Sequence, residues 1–113
     1  SMVDKHYIPD RGEIVWLNFS PSRGHEQRGR RPALVISPAV YNKRSGLMLI
    51  CPVTSQIHHY PFEVKFHSDK VGGVILADQL KSFDWQIRRA EFIDILPMGV
   101  FSVVQQLLGR LTG

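Results

Sequence analysis

Two rhythms of apolar positions run along this chain of 113 residues. The first has the period of strands. Ile14-Val-Trp-Leu-Asn-Phe19 is apolar and β-favouring, and Gly12 and Ser20-Pro21-Ser22 bound it, so it predicts a strand. Ala33 to Ser37 predicts a second, apolar on both faces as a central strand is. Leu47 to Val53 predicts a third. Pro52 within it has no N–H to give a ladder, which places that strand's end at an edge or rim. Phe62 to Phe66 alternates strictly, with Phe62, Val64 and Phe66 on one half-buried face. Val74 to Leu80 returns to the core, and Ala90 to Leu96 is the last strand. Between these lie a short helical turn (Pro38 to Arg44, closed by Ser45-Gly46), a loop (Gln56 to Pro61) and a turn (Asp69 to Gly73). Trp16 and Trp85 are assigned to core or dimer packing.

The second rhythm begins near the C-terminus. Val100, Val103, Val104, Leu107, Leu108 and Leu111 recur at helical spacing and predict one apolar stripe. Gly99 and Gly109 weaken that helix and blur its ends. Five to seven short strands with a single C-terminal helix predict a mainly β, small antiparallel barrel, closed or nearly so.

Length and composition narrow the reading. The chain suits one domain spanning 1–113, with Ser1-Met2 read as a tag remnant before the native start. No apolar stretch approaches the roughly 18 residues of a membrane span. The single cysteine, Cys51, excludes an intramolecular disulfide and suits a reducing cytoplasm. Lys plus Arg number 14 against 10 for Asp plus Glu, a formal charge of +4. That balance points to nucleic acid or an acidic partner. The distribution is sharper: Arg23, Arg28, Arg30, Arg31, Lys43 and Arg44 lie between Ser20 and Gly46, where Glu26 is the lone acid.

The centre of this basic region is Gly24-His-Glu-Gln-Arg-Gly-Arg-Arg-Pro-Ala-Leu-Val-Ile-Ser-Pro38. Its first half is a polar, glycine-punctuated loop and its second half a strand. Arg31-Pro32 joins them, and a residue before proline is held near extended geometry. A guanidinium is thereby set where a loop meets a scaffold, a common placement for function.

These residues resemble the MazF/PemK toxins. Gly12-Glu-Ile-Val-Trp-Leu-Asn-Phe19 is similar to the family's opening strand. The segment from Gly24 to Pro38, Cys51-Pro-Val-Thr-Ser-Gln56, Tyr60-Pro-Phe-Glu-Val64 and Gly73-Val-Ile-Leu-Ala-Asp-Gln-Leu-Lys-Ser82 follow in the family's order. From Phe83 onward the match is in outline only. The resemblance implies an SH3-like barrel with a terminal helix, acting as a homodimer. It implies a ribosome-independent endoribonuclease that cuts single-stranded RNA at short sequences. It also implies restraint by a MazE-like antitoxin whose acidic C-terminal segment lies across the substrate groove.

The implied reaction is metal-independent attack of a ribose 2′-OH on its own 3′-phosphate, leaving a 2′,3′-cyclic phosphate and a 5′-OH. No cofactor and no metal ion is expected. Arg31 suits stabilisation of the phosphorane, because its planar fork of donors matches phosphate oxygens. Thr54 matches the threonine that the family pairs with this arginine. Glu26 and His25 are candidate bases, as is an unassisted, well-placed 2′-OH; Glu26 joins Arg31 and Thr54 in the catalytic set. Taken alone, Arg31 would read as closing a salt bridge at a strand end, and Thr54 as an ordinary strand threonine.

RNA contact is assigned to Phe19, His25, Arg28, Asn42, Gln56, His58, Tyr60 and Lys81, since recognition needs stacking rings and a basic track. Asp78-Gln79 is read as buried hydrogen-bonding support. His25, His58 and His59 invite a two-histidine mechanism, which departs from the family, whose usual site has no obligatory histidine pair. A metal site is disfavoured because His58 and His59, adjacent in extended chain, point to opposite faces and chelate poorly. The alternative function is a CcdB-like toxin of the same fold that binds a protein target such as DNA gyrase and cuts nothing.

Overall fold

The computed structural model describes residues 6–19 and 29–113. The expectations placed on His25, Glu26 and Arg28, and on the loop that carries them, lie outside the described residues. The runs rich in Val, Ile and Leu are strands: β1 (Glu13–Asn18), β2 (Arg30–Val35), β3 (Leu47–Thr54), β4 (Glu63–Phe66), β5 (Gly73–Leu76), β6 (Lys81–Asp84) and β7 (Glu91–Ile95). Two helices, α1 (Ala39–Ser45) and α2 (Met98–Thr112), complete the described chain.

The strands form one antiparallel sheet in the order β4-β5-β3-β2-β1-β7, with β6 also paired to β3. The sheet curls into a half-barrel with β4 and β7 at its two ends, which fits the small barrel expected. Strand β3 has three partners. One of its edges pairs with β2 through Ala33↔Pro52, Leu34↔Cys51 and Val35↔Ile50. The other pairs with β6 as far as Ile50↔Lys81, then with β5 from Val53↔Ile75. Pro52 therefore does not mark an edge strand. It sits in the interval between two partners of the central strand, where a proline interrupts least.

Alternation along β1, β2 and β3 builds two cores rather than one. Ile14, Leu34, Cys51 and Val53 face one way and join Ile75, Ile93, Phe101 and Val104. Val15, Leu17, Ala33, Val35 and Ile50 face the other way and join Met48, Trp85 and Ala90. Helix α2 covers the first core. Its stripe is rotated from the expected one: Phe101 and Val104 are buried, Val100, Leu107 and Leu108 pack partly, and Val103 and Leu111 are exposed. Trp16 packs partly against the first core and Trp85 is buried in the second.

Helix α1 closes as its sequence predicts, on Gly46 in the left-handed region at φ 75°. Beneath it lies a buried polar knot. Asn42 is fully buried; its amide nitrogen donates to the carbonyls of Pro9 (2.8 Å) and Ser37 (3.0 Å). Its side-chain oxygen accepts from Ser37 Oγ at 2.6 Å, and Trp85 Nε1 donates to its backbone carbonyl at 2.8 Å. A buried amide is stable only when satisfied in this way. Asn42 is thus corrected from an RNA-contacting residue to a structural one, because no face of it reaches solvent.

Candidate active site

Strand β2 opens with two arginines that alternate across the sheet and meet different fates. Arg30 turns to β1 and β7. It donates to Asn18 Oδ1 (3.2 Å), Trp16 O (3.3 Å) and Arg89 O (2.7 Å), and forms an ion pair with Glu91 at 3.3 Å. The salt bridge at the strand end belongs to Arg30. Arg31, opposite Leu17 in β1, is exposed, and among the described residues its side chain makes no hydrogen bond or ion pair. Its five donors remain for a ligand.

Thr54 ends β3. Its Oγ1 accepts from the Gln56 backbone N–H at 3.1 Å, which orients the hydroxyl while leaving its hydrogen to donate. The backbone beside it is constrained by Gly73, which sits at φ +126° opposite the 54–55 junction. A Cβ on Gly73 would lie 2.2 Å from the Thr54 carbonyl oxygen. Only glycine lets β5 approach this closely.

Arg31 and Thr54 share the wall of a groove of about 480 Å³. Phe19, Gln56, His58, Tyr60, Asp78, Gln79 and Lys81 also line it. Nine residues singled out from the sequence are therefore brought together, drawn from β1, β2, β3, the 55–62 loop, the turn after β5, and β6. Asn42 is not among them.

The groove has two ring-bearing walls. Phe19 stands at the end of β1, edge-on to Phe83 with centroids 5.4 Å apart. Arg88 fixes that end: its guanidinium lies 3.8 Å from the Phe83 centroid and donates to Phe19 O (2.6 Å) and Asn18 O (3.1 Å). On the opposite wall His58 and Tyr60 stack, with centroids 5.4 Å apart and planes 18° from parallel. The loop between them is not extended. His59 adopts φ 61°, a left-handed conformation, so the opposite-faces argument does not hold for this pair. His58 faces the groove because the chain turns at His59.

Glu63 causes that turn to persist. Its carboxylate accepts from the backbone N–H of His58 (3.1 Å) and of His59 (2.8 Å). This groove residue was not anticipated, nor were its neighbours Phe62 and Leu76. Strict alternation in β4 does put Glu63 on the face opposite Val64, but not what that face adjoins. Asp78 and Gln79, expected to be buried, are exposed on the groove wall. Beneath them, burial pushes the Cys51 thiol up to about 12, with the Asp78 charge adding to the effect. Cys51 behaves as a small core residue with no nucleophilic character at neutral pH.

Residues 10–112 match the family described as PemK-like, MazF-like toxin of type II toxin–antitoxin system. The chain belongs to this family. It is 48% identical over 84 residues to the endoribonuclease toxin MazF of Escherichia coli strain K12, covering 74% of this chain and 76% of that protein. Its fold superposes on the crystal structure of MazF from Deinococcus radiodurans with a TM-score of 0.83 at 55% identity, covering 93% and 96% of the two chains. A MazE–MazF structure from the same organism gives 0.84 at 50% identity, with 95% and 97% covered.

Chemically, the MazF-like groove offers a free guanidinium and an oriented hydroxyl at its centre. Stacking rings lie on both sides, and Lys81 adds positive charge at the rim. Among the described residues no group of three or more His, Cys, Asp or Glu side chains is placed to hold a metal ion. Among the described residues no helix is long and apolar enough to cross a membrane.

Proposed function

We propose that the chain is an endoribonuclease toxin that cuts single-stranded RNA in the groove centred on Arg31 and Thr54. The observation that carries this reading is Arg31 itself: a guanidinium without a partner among the described residues, at the strand start, between two stacking walls. Its E. coli relative bears the name endoribonuclease toxin, which favours cleavage over the CcdB-like alternative.

The nucleophile is part of the substrate. The 2′-oxygen bonds to phosphorus as the 5′-oxygen bond breaks, giving a 2′,3′-cyclic phosphate and a 5′-OH. A proton leaves the 2′-OH and another reaches the departing oxygen, so no metal-bound hydroxide is required. Arg31 binds the non-bridging oxygens, where charge accumulates in the phosphorane. The Thr54 hydroxyl donates to a phosphate oxygen. The base is Glu26 or His25, on the segment preceding Arg30, or the 2′-OH reacts unassisted. Phe19 and the His58–Tyr60 stack hold bases, while Gln56 and Lys81 contact bases or phosphates. Glu63 serves the backbone of His58 and His59 and holds the turn that carries the stack. Asp78 and Gln79 support the wall.

The same groove suits an acidic segment of a MazE-like antitoxin, and a structural relative from D. radiodurans is a MazE–MazF complex. A second copy of the chain completes the toxin in our reading, and its compartment is the cytoplasm, where its RNA lies.

The test uses purified protein and a long single-stranded RNA of known sequence, in EDTA, beside Arg31→Ala. Cuts at one short sequence with 5′-OH ends, lost in the variant, are expected. RNA left intact by a protein still toxic to cells would overturn the reading and direct attention to a protein target.

A further inference from the structure

A second cavity of about 270 Å³ opens on the other face of the same pair. Arg30, Pro32, Ser55, Val71 and Gly72 line it, together with Arg31, Val53 and Thr54. The two cavities share those last three residues and no others. An RNA whose scissile phosphate sits on Arg31 and Thr54 has chain leaving in both directions, so one flank enters each cavity. The flanks then meet different chemistry. The larger cavity carries Phe19, His58, Tyr60 and Phe62. The smaller carries no aromatic ring among its described lining residues; it offers the Ser55 hydroxyl, the charge of Arg30 and the open backbone at Gly72.

We propose that the smaller cavity is a sugar–phosphate subsite that seats the nucleotide flanking the cut without reading its base, so that sequence is read on one side of the cut only. This rests on the nuclease reading above and specifies its substrate. Stacking is what gives a protein hold on an unpaired base, and only one cavity supplies it. Arg30 contributes charge more than free donors, because its terminal nitrogens already serve Asn18, Trp16, Arg89 and Glu91. Ser55 and the backbone around Gly72 are left to contact ribose and phosphate oxygens.

The experiment uses a short single-stranded RNA carrying one mapped cut, with abasic ribose substituted singly at each of the two positions before and after it. On one side each substitution slows cleavage by roughly tenfold or more, the worth of a stacked base. On the other side the change stays within about threefold, a fraction of one such contact. Equal sensitivity on both sides overturns the proposal while leaving the nuclease reading intact. If wild-type protein cuts no RNA, both fail together. A protein variant assigns the side. Gly72 lines the smaller cavity and a Cβ there meets nothing within 4 Å, so Gly72→Trp adds bulk at the cavity without strain on the backbone. The ratio of kcat/KM for the full substrate over one truncated on the base-insensitive side falls by roughly tenfold, as loss of one phosphate contact requires. An unchanged ratio, or a fall seen only on truncating the base-sensitive side, overturns the assignment of the cavity.

Discussion

The knot under α1 and the centre of the groove contain similar chemistry and opposite bookkeeping. Around Asn42, amide, hydroxyl and carbonyl groups satisfy one another completely, and solvent is excluded. Around Arg31, a charged donor array stands in the open without a partner among the described residues. The difference separates polar residues that hold the fold from those that await a ligand. Residue type alone does not: both regions are rich in side chains that bind RNA in other settings. What distinguishes them is whether the chain itself supplies the other half of each hydrogen bond.

The comparison breaks most visibly at its two centres. Arg31→Ala should lower cleavage by about 10²-fold or more, the cost of one transition-state donor. Its melting temperature should stay near wild type, since the side chain supports nothing else described; a large drop would assign Arg31 to the fold. Asn42→Ala should do the reverse. It leaves the Ser37 O–H without its acceptor and the Pro9 and Ser37 carbonyls without the Asn42 amide in the interior, and about 3 kcal/mol of stability should be lost. Denaturant unfolding measures this, and activity per folded molecule should hold.

Gly73→Ala probes the border between the two regions. The added methyl collides with the Thr54 carbonyl, so β5 and β3 must separate. Cleavage should fall roughly tenfold through displacement of the hydroxyl, together with about 1–3 kcal/mol of stability from the strained φ. Single-turnover rates with protein confirmed as folded separate the two effects. A Gly73→Ala protein of full activity would show that Thr54 needs no such placement.

The smallest effect concerns Cys51, a titratable group on the buried side of the groove wall. Its folded-state value is raised from 9.0 to about 12. Above pH 9 the unfolded chain gives up the thiol proton and the folded chain keeps it. The thiol's contribution is therefore whole below pH 9 and declines as pH rises towards 12. The stability gap between wild type and Cys51→Ala should narrow by about 1 kcal/mol per pH unit over that window. Tyr7 is raised as well, by burial and by Glu13, so the comparison between variants is the informative one.

Much of this could be seen in the chain before its structure. Local signals placed β1 to β3, the Gly46 closure of α1, the alternation of β4 and the helical tail. The Arg31-Pro32 junction pointed to a residue that lines the groove. What stayed hidden is non-local. Arg30 and Arg31 are neighbours in sequence, and only the strand's pleat and the position of Glu91, across β1 in β7, tell them apart. Asn42 looked like a surface residue of a short helix, because nothing nearby in sequence shows Pro9 and Trp85 closing over it. Strand β6 is four residues of mostly polar sequence, and it is a strand because Leu47–Ile50 offers an open edge. Glu63 needed the fold of the 58–60 turn before its role was visible.

The pairing of β1 with β7 has a consequence for how the protein is born. The first strand completes its hydrogen bonding with the last, and the central strand waits for β5 and β6. Such distant pairings close slowly and late. A chain still emerging from the ribosome has β1 and β2 but not the elements that frame Thr54 or the far wall of the groove. The molecule therefore acquires its groove only after β5 and β6 have emerged to frame β3, and a nascent chain that stops short of them carries no finished nuclease.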